Sequence, residues 1–199
     1  MNPEYIREQI ARIPESLAGK RVLDVGAWDG YWTFEALRRG AVQAVAIDVF
    51  FDYLGCLVSD NRKTEDLVVC RKTGFTVTKM DQSFLDLDED SFDLIWARHL
   101  IEHSIFPLFT LNDFYRVLKD GRVLYLEVPA PGTACHHERN PNHCSMLPKS
   151  FWISLLQRVG FQLIEATDYQ FSVPAGDDIY GGFYCRKPST GSAAGGISS

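Results

Sequence analysis

Val22-Leu23-Asp24-Val25-Gly26-Ala27-Trp28-Asp29-Gly30 is the stretch whose reading decides the fold. A compact apolar, β-branched run leads into Gly26, two glycines bracket a turn, and a helical pattern follows, so the segment reads as strand, ligand turn and helix. Residues 41–48 (AVQAVAID) repeat the strand plan, which makes a βαβ unit of the two runs and the helix between them. Residues 75–80, 92–97 and 123–128 are three further strand candidates, the last introduced by the turn signal Lys119-Asp120-Gly121, and helical patterns separate them. Such alternation predicts a parallel sheet covered on both faces. Right-handed crossovers then bring the C-terminal ends of the strands to one rim, where ligands bind.

The rest of the chain is arranged around that unit. Asn2 and Pro3 open a short leading helix with Ile6, Ile10 and Ile13 at helical spacing. Residues 129–148 are rich in Pro, His, Asn and Cys without periodicity, too long for a routine connection, and read as a lid or substrate loop. Phe151, Trp152, Leu155, Leu156 and Val159 then mark a helix stopped by Gly160, and residues 161–167 and 179–186 read as two late strands. Trp32, Phe151 and Trp152 are read as core. Residues 1–188 are expected to form one domain, and residues 189–199, little but Gly, Ser and Ala, a flexible tail that cannot offset its ordering entropy.

Composition narrows the function classes. A formal net charge of -6 and the absence of a Lys/Arg block argue against nucleic acid and anionic membranes as partners and favour a small substrate. No run approaches the ~20 apolar residues that span a bilayer. The charged N-terminus is unlike a signal sequence, and the cysteines, Cys56, Cys70, Cys135, Cys144 and Cys185, are odd in number and lack a CxxC pair. Free thiols and a cytoplasmic location are the expectation.

The turn itself discriminates between nucleotides. In the dinucleotide fingerprint G-x-G-x-x-G the second glycine lets a pyrophosphate approach the backbone, and counting from Gly26 that position is Trp28. Indole bulk with the Asp29 carboxylate beside it obstructs and repels a dianion, whereas S-adenosylmethionine carries no phosphate and has cationic ammonium and sulfonium groups. Asp48 ends the second strand 22 residues after Gly26, where a carboxylate accepts hydrogen bonds from ribose hydroxyls. Asp81 follows the third strand candidate, where an acceptor meets an exocyclic adenine amine. Each carboxylate alone reads equally well as a helix cap, and it is their order that carries the ligand reading.

From Val22 to about Arg186 the chain resembles the class I S-adenosylmethionine-dependent methyltransferases in their small-molecule branch. VLDVGAWDG is similar to that family's first motif, with Trp28 in place of the usual small residue, VAID to the second, and KMDQSF around Asp81 to the adenine-binding third. SFDLIWARHLIEH resembles the fourth, and RVLKDGRVLYLEVP the fifth strand with its preceding turn. The resemblance implies a Rossmann-like, seven-stranded, mostly parallel α/β sheet with an antiparallel last strand and the order 3-2-1-4-5-7-6. It also implies a turn from Asp24 through Gly26, Ala27 and Trp28 to Gly30 that holds the methionine moiety, Asp48 on the ribose, and Asp81 with Gln82 on the adenine.

Methyl transfer is an in-line displacement, so holding donor and acceptor together supplies much of the rate, and a base is needed only for an acceptor proton of high pKa. His99, Glu102 and His103 follow the fourth strand. If the segment is helical, His99 and His103 share a face, and H-x-x-E-H formally matches a metal motif. Similar strings are common at this place in the resembled family without a metal, so metal is the minority reading, no ligands are assigned, and His99 is the candidate to face the acceptor. Asn140-Pro141-Asn142-His143 resembles a stretch of related methyltransferases that lies by the acceptor pocket, which makes His143 the first choice for a base or substrate contact. Cys135, His136, His137, His143 and Cys144 lack the separated ligand pairs of structural zinc sites. The expected function is methyl transfer to an oxygen, nitrogen or carbon of a small acceptor. The alternatives are a catalytically silent cofactor-binding module and an NAD(P)-linked oxidoreductase, against which Trp28 speaks.

Overall fold

A computed structural model describes residues 16–28, 30–49 and 74–189. The leading helix, Asp29, Cys56, Cys70 and the tail beyond Ser189 lie outside the described residues. The described elements run β1 (Arg21–Val25), α1 (Tyr31–Arg38), β2 (Gln43–Asp48), β3 (Gly74–Lys79), β4 (Phe92–Arg98), α2 (Pro107–Val117), β5 (Leu118–Pro129), α3 (Lys149–Val159), β6 (Gln162–Val173) and β7 (Gly176–Arg186). Single 3-10 turns at Ile101–His103 and His137–Arg139 interrupt the connections.

The seven strands form one sheet in the order β3-β2-β1-β4-β5-β7-β6, the order expected. The first five are parallel where they pair, and β7 runs antiparallel to both β5 and β6. Strands covered on both faces read as unbroken apolar runs, and β1, β2 and β4 are buried along almost their whole length. On one face Leu23, Val25, Ile95, Leu124 and Leu126 pack against Leu111, Phe114 and Val117 of α2 and Trp152, Leu155 and Leu156 of α3. On the other, Val22, Ala44, Leu94, Trp96 and Tyr125 meet Ala36 and Leu37 of α1. Pro107 at the start of α2 and Gly160, φ 112°, at the end of α3 punctuate the helices as their chemistry dictates.

Several details depart from the sequence reading. Lys119-Asp120-Gly121 is not a turn ahead of β5 but a looped-out stretch within it: Leu118 pairs with Phe92, and pairing resumes at Val123 with Leu94. β6 runs on to Val173, and a hairpin joins it to β7, with Val173 opposite Gly176. Phe151, read as core, is 51% exposed, whereas Trp152 is buried. Cys135, Cys144 and Cys185 are free thiols. No described helix is long and apolar enough to cross a membrane.

Candidate functional site

The C-terminal ends of the central strands open on a cavity of about 910 Å³. Asp24, Gly26, Ala27 and Trp28 line it from β1 and its turn, Asp48 from the end of β2, Asp81 and Gln82 from the segment after β3, and His99 from the end of β4. Of the residues assigned from the sequence to cofactor binding or catalysis, Gly30 and His143 are not on its surface. Gly30, φ 70°, caps α1, and its amide donates to the Ala27 carbonyl at 2.7 Å.

The turn is built to stay open. Gly26 sits at φ 73° with its amide on the Ile47 carbonyl, and a Cβ there would meet the Leu100 Cβ at 2.9 Å. Trp28, φ 47°, donates its amide to Asp48 Oδ2 at 3.0 Å, and the residue, 56% exposed, is part of the cavity lining. Asp24 is buried and accepts from Thr33 Oγ1 of α1 at 2.5 Å, which fixes strand against helix. Asp81 Oδ1 accepts the Ser83 amide at 2.8 Å. Gln82 Oε1 is buried and has no hydrogen-bond partner among the described residues, the state of an acceptor that awaits a donor on a ligand. That orphaned amide oxygen, with Asp48 in the same cavity lining, fits the adenine and ribose of S-adenosylmethionine.

The opposite wall holds a charge network that the sequence reading missed. Glu127, on β5 and fully buried, accepts from Arg98 Nε at 3.1 Å and Nη2 at 3.0 Å and from the Tyr125 hydroxyl at 2.6 Å, with His99 Nε2 at 3.2 Å. Burial alone would raise its pKa, but the Arg98 guanidinium and the bonds from His99 and Tyr125 hold the carboxyl far below the usual range. Arg98 in turn lies over the Trp32 ring at 4.7 Å. Trp32 lines the cavity as well as packing on the core, so reading it as core alone is corrected. The signal in the sequence was a carboxylate inside the apolar run YLEVP, where a buried charge requires a partner.

His99 adopts φ 50°, and only one 3-10 turn follows, so the helical face on which His99 and His103 would have stood together does not form. The His99 ring instead meets Tyr180 edge-on at 4.2 Å. Burial depresses its pKa below the ordinary histidine value, against the opposite pull of Glu127. Glu102, 1% exposed, behaves oppositely to Glu127: burial, with the Glu127 charge nearby, raises its pKa to about 8, and its Oε2 has no partner among the described residues. The 129–148 loop is pinned against this turn. Ser145 donates its amide to the Glu102 carbonyl and its hydroxyl to the Ser104 carbonyl, and His103 Nδ1 donates to the Asn142 carbonyl at 2.9 Å. Pro141, Asn142 and Cys144 thereby reach the cavity. His143 packs behind them, its ring 4.7 Å from that of His103, with a pKa lowered by burial and by His103. Phe171, Val173 and Tyr180 close the cavity from the β6–β7 hairpin, whose reach no local pattern announced. Among the described residues, two groups of donors are compact enough to hold a cation: Glu102 with His103 and His143, and Cys135 with His137 and Asp178.

The comparisons with known proteins agree with this geometry. Residues 2–166 match the methyltransferase domain family. The chain is 28% identical over 128 residues to a ubiquinone biosynthesis O-methyltransferase of Methylococcus capsulatus, covering 63% of this chain and 49% of that protein. It is 26% identical over 169 residues to a tRNA U34 carboxymethyltransferase of Alcanivorax borkumensis, covering 81% of this chain and 51% of the relative. This chain thus spans about half the length of these curated relatives. An S-adenosylmethionine-dependent methyltransferase from Mesorhizobium loti superposes with a TM-score of 0.73 at 16% identity, over 90% of this chain and 96% of that structure. A sheet in the 3-2-1-4-5-7-6 order, a ligand cavity at its C-terminal rim and a family match over most of its length make this chain a member of the class I S-adenosylmethionine-dependent methyltransferases.

Proposed function

We propose that the protein transfers a methyl group from S-adenosylmethionine to a small-molecule acceptor bound between His99 and the 129–148 loop. The observation that carries the reading is a cavity whose lining unites Asp48, Asp81 and Gln82, whose Oε1 has no partner among the described residues, with His99, which Glu127 backs from the buried side. Its volume falls within the ~300–1,000 Å³ of small-molecule sites, which suits a nucleoside with a compact second ligand.

S-adenosylmethionine, when bound, supplies an electrophilic methyl on a sulfonium. Asp48 would hold the ribose hydroxyls, Gln82 and Asp81 the adenine amine, and the turn residues Asp24, Gly26, Ala27 and Trp28 the methionine end. His99 receives the acceptor's proton. Its Nε2 faces Glu127 at 3.2 Å, so Nε2 carries the hydrogen and Nδ1 the lone pair, and the depressed pKa keeps the ring neutral until the proton arrives. Glu127, ionised under the Arg98 guanidinium, stabilises the imidazolium that results. His143 touches the acceptor only through its neighbours, His103 and the Asn142 segment, and so positions rather than reacts.

Calorimetric titration with S-adenosylmethionine and S-adenosylhomocysteine, with NADH as control, tests the cofactor half. Micromolar binding of both sulfur ligands is expected, weakened at least about tenfold in Asp48→Ala by loss of a charged acceptor, about 1.5–3 kcal/mol. Binding of NADH in preference to that pair would sink the reading.

A further inference from the structure

A second cluster of donor side chains stands beside the cavity rather than in it. Cys135 and His137 belong to the 129–148 loop and Asp178 to β7, yet one sulfur, one imidazole nitrogen and one carboxylate oxygen lie within 4.8 Å of one another. The chain bends between the two loop donors at His136, φ 49°, a left-handed conformation that costs a non-glycine residue energy and sets both donors toward the same carboxylate. The loop is fastened there by the Ala134 amide, which donates to the Asp177 carbonyl at 3.2 Å. Asp178 is only 2% exposed, and His137 Nε2 stands 3.0 and 3.1 Å from its two oxygens.

This donor set has a definite chemistry. Thiolate, imidazole and carboxylate are the ligands of zinc, at about 2.3, 2.0–2.1 and 2.0–2.2 Å, and donors on one tetrahedral ion stand about 3.5 Å apart. The Cys135 thiol joins His137 in hydrogen bonding to Asp178, so the thiol and the imidazole already converge on one carboxylate. A divalent cation would take the place of the bridging hydrogens, with thiolate, imidazole and carboxylate as its ligands.

We propose that Cys135, His137 and Asp178 bind one zinc ion, with water in the fourth position, and that the ion clasps the 129–148 loop to β7. Tyr180, two residues along β7, has its ring 5.6 Å from His137 and 4.2 Å from His99, so the clasp also fixes the wall against which His99 rests. The site is separate from the methyl-transfer reading, and its test requires no turnover.

The full chain is stripped with chelator, loaded with zinc, desalted and assayed for bound metal. In parallel, cobalt loading is read for the absorption that a thiolate ligand gives. About one zinc per chain is expected in the wild type and in Glu102→Gln, and under about a tenth of that in Cys135→Ser and His137→Gln, with circular dichroism confirming that each variant is folded. The cobalt–thiolate absorption is expected in the wild type and absent from Cys135→Ser. Even if a variant does not fold, a wild-type cobalt spectrum without that absorption overturns the assignment. A wild type without zinc, a cobalt spectrum without a thiolate band, or zinc lost from Glu102→Gln and kept by folded Cys135→Ser overturns the assignment.

Discussion

Glu102 and Glu127 show how two identical side chains in one site acquire opposite characters. Glu127 has a guanidinium, a phenol and an imidazole around it and stays ionised, whereas Glu102 is equally buried, lacks a partner for Oε2 among the described residues and retains its proton up to about pH 8. For Glu102 the folded-state pKa lies above the unfolded one. Its contribution to stability is therefore fully present below about pH 4.5 and is lost as the pH rises toward about 8. Glutamine mimics the protonated acid and does not titrate. Relative to wild type, Glu102→Gln is expected to gain stability across that window, by an amount on the order of a few kcal/mol at its upper end. Urea denaturation of both proteins at a series of pH values, with chelator present, measures it. Parallel stability curves would mean that Glu102 is ionised in the folded protein.

The turn after β1 converts backbone geometry into ligand space, and two glycines allow its parts to be weighed separately. Gly19 and Gly26 share φ 73°, but a Cβ on Gly19 meets nothing within 4 Å, while one on Gly26 lies 2.9 Å from the Leu100 Cβ, at the foot of the His99 turn. Gly19→Ala is expected to cost only the left-handed strain, about 1 kcal/mol, and Gly26→Ala about 1–3 kcal/mol beyond it as the β1 and β4 turns are forced apart. Denaturant midpoints give both costs, and equal losses would remove the Leu100 contact from the account. The same elements show what the sequence could convey. β1, β2 and β4 were legible because strands buried on both faces must be continuously apolar, and Asp48 and Asp81 because a strand end at the rim is a fixed address. The β6–β7 hairpin was underestimated because Asp168, Gln170 and Ser172 alternate with Tyr169, Phe171 and Val173 along a half-exposed edge, a weaker pattern than a buried run. Arg98–Glu127 and Cys135–Asp178 were illegible as pairs, since partners 29 and 43 positions apart meet only through the strand order.

At the scale of the whole molecule the acceptor class is a question of charge as much as of cavity shape. One relative is named as acting on ubiquinone biosynthesis and another on tRNA, so the fold serves both kinds of acceptor. A tRNA acceptor would need lysines and arginines spread over a face wide enough to neutralise several phosphates, and affinity would then fall steeply with salt. This chain carries 20 basic against 26 acidic residues, and three of the carboxylates, Asp24, Asp48 and Asp81, line the cavity. Arg98, the one arginine on the cavity wall among the described residues, is already engaged by Glu127 and Trp32, and so contributes little field to an incoming phosphate. Unfractionated tRNA is therefore expected to show no saturable binding up to about 10 µM at ~50 mM salt, in filter-binding measurements with and without S-adenosylhomocysteine. Binding that saturates below that concentration and weakens as salt is raised to ~200 mM would locate the acceptor on a nucleic-acid surface instead of in the cavity. The cofactor reading would survive that outcome, because calorimetry with S-adenosylhomocysteine reports on Asp48 and Gln82 independently of what the methyl group is delivered to.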